Sequence, residues 1–210
     1  MRQSPPPQAA QCDVIVVGGS SGAIDALIQL LPALPPTLSA AVLIVLHLPR
    51  DRRSLLAEIF RQRCVLPVQE AQDKEVITPG TVYFAPPDYH LLVDDGPHIA
   101  LSIDPPVHYS RPSIDVLFES AADQYGNRLA GILLSGANED GARGLQAIQA
   151  AGGMTMVQDP ASASMPTMPQ AAIARGAGHH VLTPAAMADW LKQWPTIHTQ
   201  QTHQTHGAAL

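Results

Sequence analysis

A chain of 210 residues and 22.3 kDa is the size of one domain with tails, long enough to bury a core without disulfides or a structural metal. With 46% hydrophobic and only 14% charged residues, the composition excludes an intrinsically disordered chain except at the ends. A formal charge of -6 argues against nucleic acid as the partner, because phosphate-backbone binders gather Lys and Arg on one face.

The first residues, with Pro5, Pro6 and Pro7 in succession, cannot join a helix or a central strand, so 1–11 reads as a disordered start and the domain as 12–194. From Cys12 onward, short apolar runs alternate with helical patterns: a strand over 13–17, a helix over 24–31, a strand over 41–46 and a helix over 54–60. The strands are apolar throughout, as expected for parallel strands covered on both faces. Runs at 81–85, 90–93 and 98–102, with turn chemistry at 94–97, place an antiparallel hairpin in mid-chain. A helix over 113–125, a strand over 130–134, a helix over 141–151, a strand over 154–157 and helices over 169–175 and 184–194 follow. The fold class is therefore α/β, a doubly wound, mostly parallel, Rossmann-like sheet with helices on both faces and an antiparallel hairpin. The end, 195–210, carries His198, His203 and His206 at no recurrent metal-ligand spacing and reads as a disordered tail.

Cys12 and Cys64 stand alone and read as ordinary thiols of a reducing compartment. The apolar run 40–46 is too short to span a bilayer and the start lacks a signal peptide's apolar stretch, so cytoplasmic residence without membrane insertion is expected. Arg50, Arg52, Arg53, Arg61 and Arg63 cluster, either as a solvated helix face or as a docking surface for an acidic partner. Met154, Met156, Met165 and Met168 read as core and neighbouring loop, not as a sulfur ligand set, and no metal is implied.

Three strand ends carry the chemistry. The first runs into Gly18-Gly19-Ser20-Ser21-Gly22, which fits a nucleophile elbow, G-x-S-x-G; the alternatives are a phosphate cradle and a well-capped helix. The dinucleotide pattern needs glycine where Ser20 stands, and no Walker lysine is present. His47 follows the second strand, at the edge where open α/β sheets bind ligands, and a histidine suits removal of a hydroxyl proton. Asp140 lies past the 130–134 strand and before a helix, either as an N-cap or as the carboxylate that orients a base. A nucleophile, a base and a carboxylate leaving one edge of one sheet make a hydrolytic triad in the order Ser, His, Asp. Asp88 and His90 read as structural, and the polar segment His108, Tyr109, Ser110 and Arg111 as an edge of the substrate groove.

With these residues in view, the chain resembles the catalytic domain of the chemotaxis protein-glutamate methylesterases (CheB type) from Cys12 to about Lys192. Beyond the elbow, the resemblance lies in Leu46-His47-Leu48-Pro49, Gly80-Thr-Val-Tyr-Phe-Ala-Pro-Pro-Asp88, Ser110-Arg-Pro-Ser-Ile-Asp-Val-Leu-Phe118, Ser135-Gly-Ala-Asn-Glu-Asp-Gly141 and Gln158-Asp-Pro-Ala-Ser162. It implies hydrolysis of glutamyl methyl esters on the cytoplasmic helices of methylated chemoreceptors, with deamidation of receptor glutamines as a second activity and no cofactor. Ser20 corresponds to the nucleophile, His47 to the general base and Asp140 to the orienting carboxylate. The hydroxyl of Ser21, or backbone N–H groups around Ser21 and Ala137, are the candidate oxyanion donors, and Arg111 is a substrate-side candidate. Where the family commonly has Met-Gly-Asn-Asp-Gly, this chain has Ala137-Asn-Glu-Asp-Gly141, which is expected to widen the pocket. Only 11 residues precede the match, too few for a receiver domain, so activity is expected to be constitutive or set by a separate regulator. The rival functions are a non-catalytic module that binds a partner or an anion at the Gly18–Gly22 turn, and an esterase acting on a different carboxyl ester.

Overall fold

Runs of Val, Ile and Leu without polar alternation demand burial on both faces, and the computed structural model shows how the chain provides it. The structure describes residues 12–47 and 54–194. The expectations for 1–11 and 195–210, for Arg50, Arg52 and Arg53, and for Leu48 and Pro49 lie outside the described residues.

The strands are β1 (Val14–Gly19), β2 (Ala41–Leu46), β3 (Val68–Glu70), β4 (Val82–Phe84), β5 (His90–Asp94), β6 (His98–Ser102), β7 (Leu129–Leu133), β8 (Met154–Gln158) and β9 (His180–Leu182). The helices are α1 (Ala23–Leu30), α2 (Leu56–Arg61), α3 (Ile114–Tyr125), α4 (Ala142–Ala150), α5 (Thr167–Ala174) and α6 (Pro184–Lys192). Seven strands form one parallel sheet in the order β3-β4-β2-β1-β7-β8-β9, and β5 and β6 pair antiparallel apart from it. The doubly wound α/β expectation holds, hairpin included. The run at 81–85 becomes β4 inside the main sheet, and β3 and β9, for which the sequence reading has no counterpart, are three-residue edge strands.

Every position of β1, β2 and β7 is buried, and alternate residues feed two separate cores. Ile15, Val17, Val42 and Ile44 meet Leu27 and Leu30 of α1, Phe60 of α2 and Met187 and Leu191 of α6. Val14, Val16, Leu43 and Val45 meet Leu117 and Phe118 of α3, Leu145 and Ile148 of α4 and Met168 of α5. The hairpin lies on this second face, with Leu91, Val93 and Ile99 buried in the same core and Val93 N donating to Ser120 Oγ at 3.1 Å. Met154 is half-buried and Met165 exposed, so the methionines fill core and loop as expected.

The strand order reverses beside β1. From β1 the chain places β2 beside it, β3 at the far edge and β4 between β3 and β2, then crosses to place β7 on the other side of β1. In open α/β sheets the crevice beyond the carboxyl ends of the strands at such a switch point is where ligands bind.

Candidate active site

Parallel register brings the three strand ends together. Gly19 pairs with Leu46, so Ser20 and His47 leave adjacent strands side by side, with His47 N donating to Gly19 O at 3.1 Å. On the other flank, Gly18 pairs with Leu133, and Ser20 N donates to Ser135 O at 2.9 Å. The segment from Ser135 to Asp140 thus leaves β7 at the switch point.

Gly22 is the N-cap of α1 with φ 82°, a left-handed backbone that glycine adopts without the Cβ penalty, and no side chain caps the helix. The hydroxyls of Ser20 and Ser21 therefore are not capping groups, and the well-capped-helix reading fails. Gly141, the N-cap of α4, has φ 89°, so Asp140 just before it does not cap its own helix. Its carboxylate turns to α3 instead.

Asp140 is fully buried. Oδ1 accepts hydrogen bonds from Ser113 Oγ at 2.9 Å and Asp115 N at 3.0 Å; Oδ2 accepts from Ile114 N at 2.8 Å and lies 2.8 Å from His47 Nε2. An anion at a helix N-terminus is favoured by the unsatisfied N–H groups and the macrodipole. Burial pushes the Asp140 carboxyl up, but the His47 hydrogen bond and the backbone donors of Asp115 and Ile114 outweigh it and hold the group below the ordinary carboxylate value. An ionised Asp140 acceptor places the His47 proton on Nε2 and leaves Nδ1 as the basic nitrogen. Among the described residues no hydrogen bond joins the Ser20 hydroxyl to His47; Nδ1 lies 3.4 Å from Ser110 Oγ.

The sequence reading gave no role to Asp115, which mirrors Asp140. Its Oδ1 accepts from Gly141 N at 2.9 Å and Gly144 N at 2.7 Å, so each carboxylate holds the start of the other's helix. Burial pushes the Asp115 carboxyl up, and the nearby Asp140 charge adds to this against the Gly144 hydrogen bond. Ser113 and Asp115 flank the first turn of a helix in the sequence, but which carboxylates they meet depends on how α3 and α4 pack. His108, Asp115 and Asp140 bring three ligand-type atoms within 4.8 Å of one another. Both Asp140 oxygens already hold the partners named above, and Arg143 Nε stands 3.7 Å from Asp115 Oδ2, an arrangement suited to charge pairing more than to holding a cation.

Ser21, next to Ser20, and Ala137, three residues before Asp140, are exposed. Ser20 N is occupied by Ser135 O and Gly136 N by Met165 O, so the oxyanion candidates reduce to Ser21 and to the backbone at Ala137. Arg111 is committed elsewhere: Nε and Nη2 donate to Asp88 Oδ1 at 3.0 and 2.8 Å, and Nη1 to the carbonyls of Ile103 and Asp104 at 2.7 and 3.1 Å. It ties two loops together. His90 is buried, with Nδ1 accepting from Ser113 N at 3.2 Å, and Asp88 accepts from Arg111. Cys12 and Cys64 are free thiols, both pushed up by burial, Cys12 to about 12.

A serine, a histidine and a buried carboxylate at the carboxyl edge of an open parallel sheet make the constellation of an acyl-transfer hydrolase, here in the order Ser, His, Asp. The CheB methylesterase family model matches residues 15–191. A Leptospira interrogans protein named for protein-glutamate methylesterase and protein-glutamine glutaminase activities is 41% identical over 177 residues, covering 84% of this chain and 92% of that protein. A protein-glutamate methylesterase/protein-glutamine glutaminase of Symbiobacterium thermophilum is 38% identical over 176 residues, and there the chain spans 49% of the relative's length. The CheB methylesterase catalytic domain of Thermotoga maritima superposes with a TM-score of 0.82 at 28% identity, over 87% of this chain and 98% of that one. The chain belongs to the CheB methylesterase family. Among its described residues no helix is long and apolar enough to cross a membrane.

Proposed function

We propose that the chain hydrolyses methyl esters of glutamate side chains on the cytoplasmic helices of chemoreceptors, and deamidates receptor glutamines, by a Ser20–His47–Asp140 triad acting in the cytoplasm. The observation that carries this reading is the 2.8 Å contact between His47 and buried Asp140, with His47 placed beside Ser20 by the β1–β2 register.

Asp140 accepts the Nε2 proton of His47, so the ring takes the Ser20 proton at Nδ1 as Ser20 Oγ attacks the ester carbonyl. The tetrahedral oxyanion is received by donors at Ser21 and Ala137. Nδ1 then returns the proton to the leaving methoxy oxygen, and methanol departs from the acyl-enzyme. A water molecule, deprotonated at Nδ1, attacks the acyl carbon, and the proton passes back to Ser20 as the glutamate carboxylate leaves. With a glutamine side chain the leaving group is ammonia and the other steps are unchanged.

A second reading rests on Ala137, an exposed methyl where the family commonly carries methionine, and assigns a bulkier carboxyl ester of another protein as substrate. The test is methanol release from a methyl-esterified receptor cytoplasmic fragment. Wild type is expected to release it, and Ser20→Ala to lose on the order of a thousandfold or more in rate. Equal rates for the two would refute Ser20 as the nucleophile. If wild type spares receptor esters but cleaves larger ones, and Ala137→Met abolishes that cleavage, the second reading stands.

A further inference from the structure

A tight turn reaches the catalytic histidine from the hairpin side. Ser110 N donates to Val107 O at 2.8 Å and Val107 N to Ser110 O at 3.1 Å, while His108 and Tyr109 between them have φ of 48° and 61°. Positive φ at both central residues is the geometry that Asn-Gly adopts readily and that ordinary side chains adopt only when held. His108 reaches inward, with Nε2 3.4 Å from Asp115 Oδ2.

That oxygen is unusual. Asp115 Oδ2 is buried and accepts no hydrogen bond among the described residues, whereas its Oδ1 holds Gly141 and Gly144. A buried carboxylate oxygen without a donor is costly and calls for a cationic or donor neighbour. The nitrogen-bearing side chains facing it are His108 from the turn and Arg143 from α4. Arg143 Nε, at 3.7 Å from that oxygen, is paired more closely with Glu119 of α3, at 2.6 Å. Asp140 is the other carboxylate at this junction, with His47 beyond it and His90 on Ser113.

We propose that His108 and Asp115 are positioning residues: their pairing latches the turn 107–110 onto the α3–α4 junction and thereby sets Ser110 against His47 Nδ1, the nitrogen that takes the Ser20 proton. The latch explains at once the left-handed turn, the otherwise unsatisfied carboxylate oxygen and the 3.4 Å approach of Ser110 Oγ to the base. It rests on His47 acting as the base proposed above. Neither residue touches the reacting atoms. Their effect passes through Ser110 and the orientation of the imidazole.

The test uses the full chain, with methanol release and the ring-nitrogen NMR resonances of His47 read in parallel. His108→Ala is expected to lower kcat about tenfold with KM within about twofold, since positioning is lost and substrate binding is not. His108→Gln, which keeps a side-chain donor at similar reach, is expected to recover most of the loss, and Asp115→Asn combined with His108→Ala to fall no lower than the worse single variant. The His47 Nδ1 resonance should move in His108→Ala and return toward the wild-type position in His108→Gln. Wild-type kcat in His108→Ala, no rescue by glutamine, or single-variant losses that multiply in the double variant would overturn the latch. Should Asp115→Asn fail to fold, the His108 pair of variants decides. Should wild type release no methanol, the proposed function fails by itself, and an unmoved or moved His47 resonance still refutes or supports the latch.

Discussion

Asp140 performs two tasks with one carboxylate. Its Oδ2 receives both His47 Nε2 and Ile114 N, so the atom that orients the proposed base also anchors the first turn of α3. Asp140→Asn is therefore expected to damage both. An amide accepts at only one of the two oxygen positions, so its NH2 faces donors either at His47 and Ile114 N or at Ser113 Oγ and Asp115 N, and in a comparable triad the wrong tautomer costs about 10⁴ in kcat. Loss of a buried hydrogen bond to a charged group should cost about 1.5–3 kcal/mol besides. Kinetics and chemical denaturation of the same variant check the pair, and a variant that loses only one of the two would separate the roles assigned here. At this scale the meeting of His47 with Asp140 was legible because both, like Ser20, sit directly after, or within a short loop of, an apolar strand. Asp115 was hidden, since an aspartate in the first turn of a helix reads as an ordinary dipole partner. Its reach to Gly141 and Gly144 exists only once two helices meet. Arg111 looked like a substrate group for the converse reason: a charged residue in a polar segment gives no sign that Asp88 and two carbonyls have already taken its donors.

The elements are held at the site by close approach of α3, α4 and the loop after β7. A Cβ at Gly141 would stand 2.6 Å from Ile114 Cγ2 and 2.6 Å from Leu133 Cδ1, at a backbone φ of 89°. Gly141→Ala should thus destabilise by more than the ~1 kcal/mol that separates glycine from alanine at an unstrained position, and should displace Asp140 as well. Circular dichroism melts should show the loss, and kcat per folded molecule should fall with it; a variant at wild-type stability would contradict the assigned geometry. The long strands and helices were legible from hydrophobic period, because β1, β2 and β7 need apolar residues at every position and α1 and α4 need them on one face. The strands β3 and β9 were not, being three residues long, with β9 partly exposed and each paired on one side only. What makes them strands is the edge of β4 or β8 beside them, which local sequence does not display.

For the whole molecule, two buried carboxylates pull stability in opposite directions in acid. Asp140 titrates below its ordinary value, so its contribution is fully present above the unfolded value of 3.8 and is lost as pH falls through the lower folded value. Asp115 titrates above 3.8, so its protonation favours the folded state, an effect fully present below 3.8 and lost as pH rises through its raised folded value. The stability difference between wild type and Asp140→Asn should accordingly hold level through neutral pH and shrink only below the unfolded value of 3.8. Chemical unfolding at a series of pH values measures it, and a difference that already shrinks near neutrality would contradict the assignment. The central claim, that this fold activates Ser20 through His47 and Asp140, is tested most directly by reaction with a small fluorophosphonate followed by mass spectrometry, which needs no knowledge of the substrate. One label per chain, located on Ser20 and greatly slowed in His47→Ala and Asp140→Asn, is the predicted result. An unlabelled Ser20 in a chain that hydrolyses esters, or labelling indifferent to His47, would contradict it.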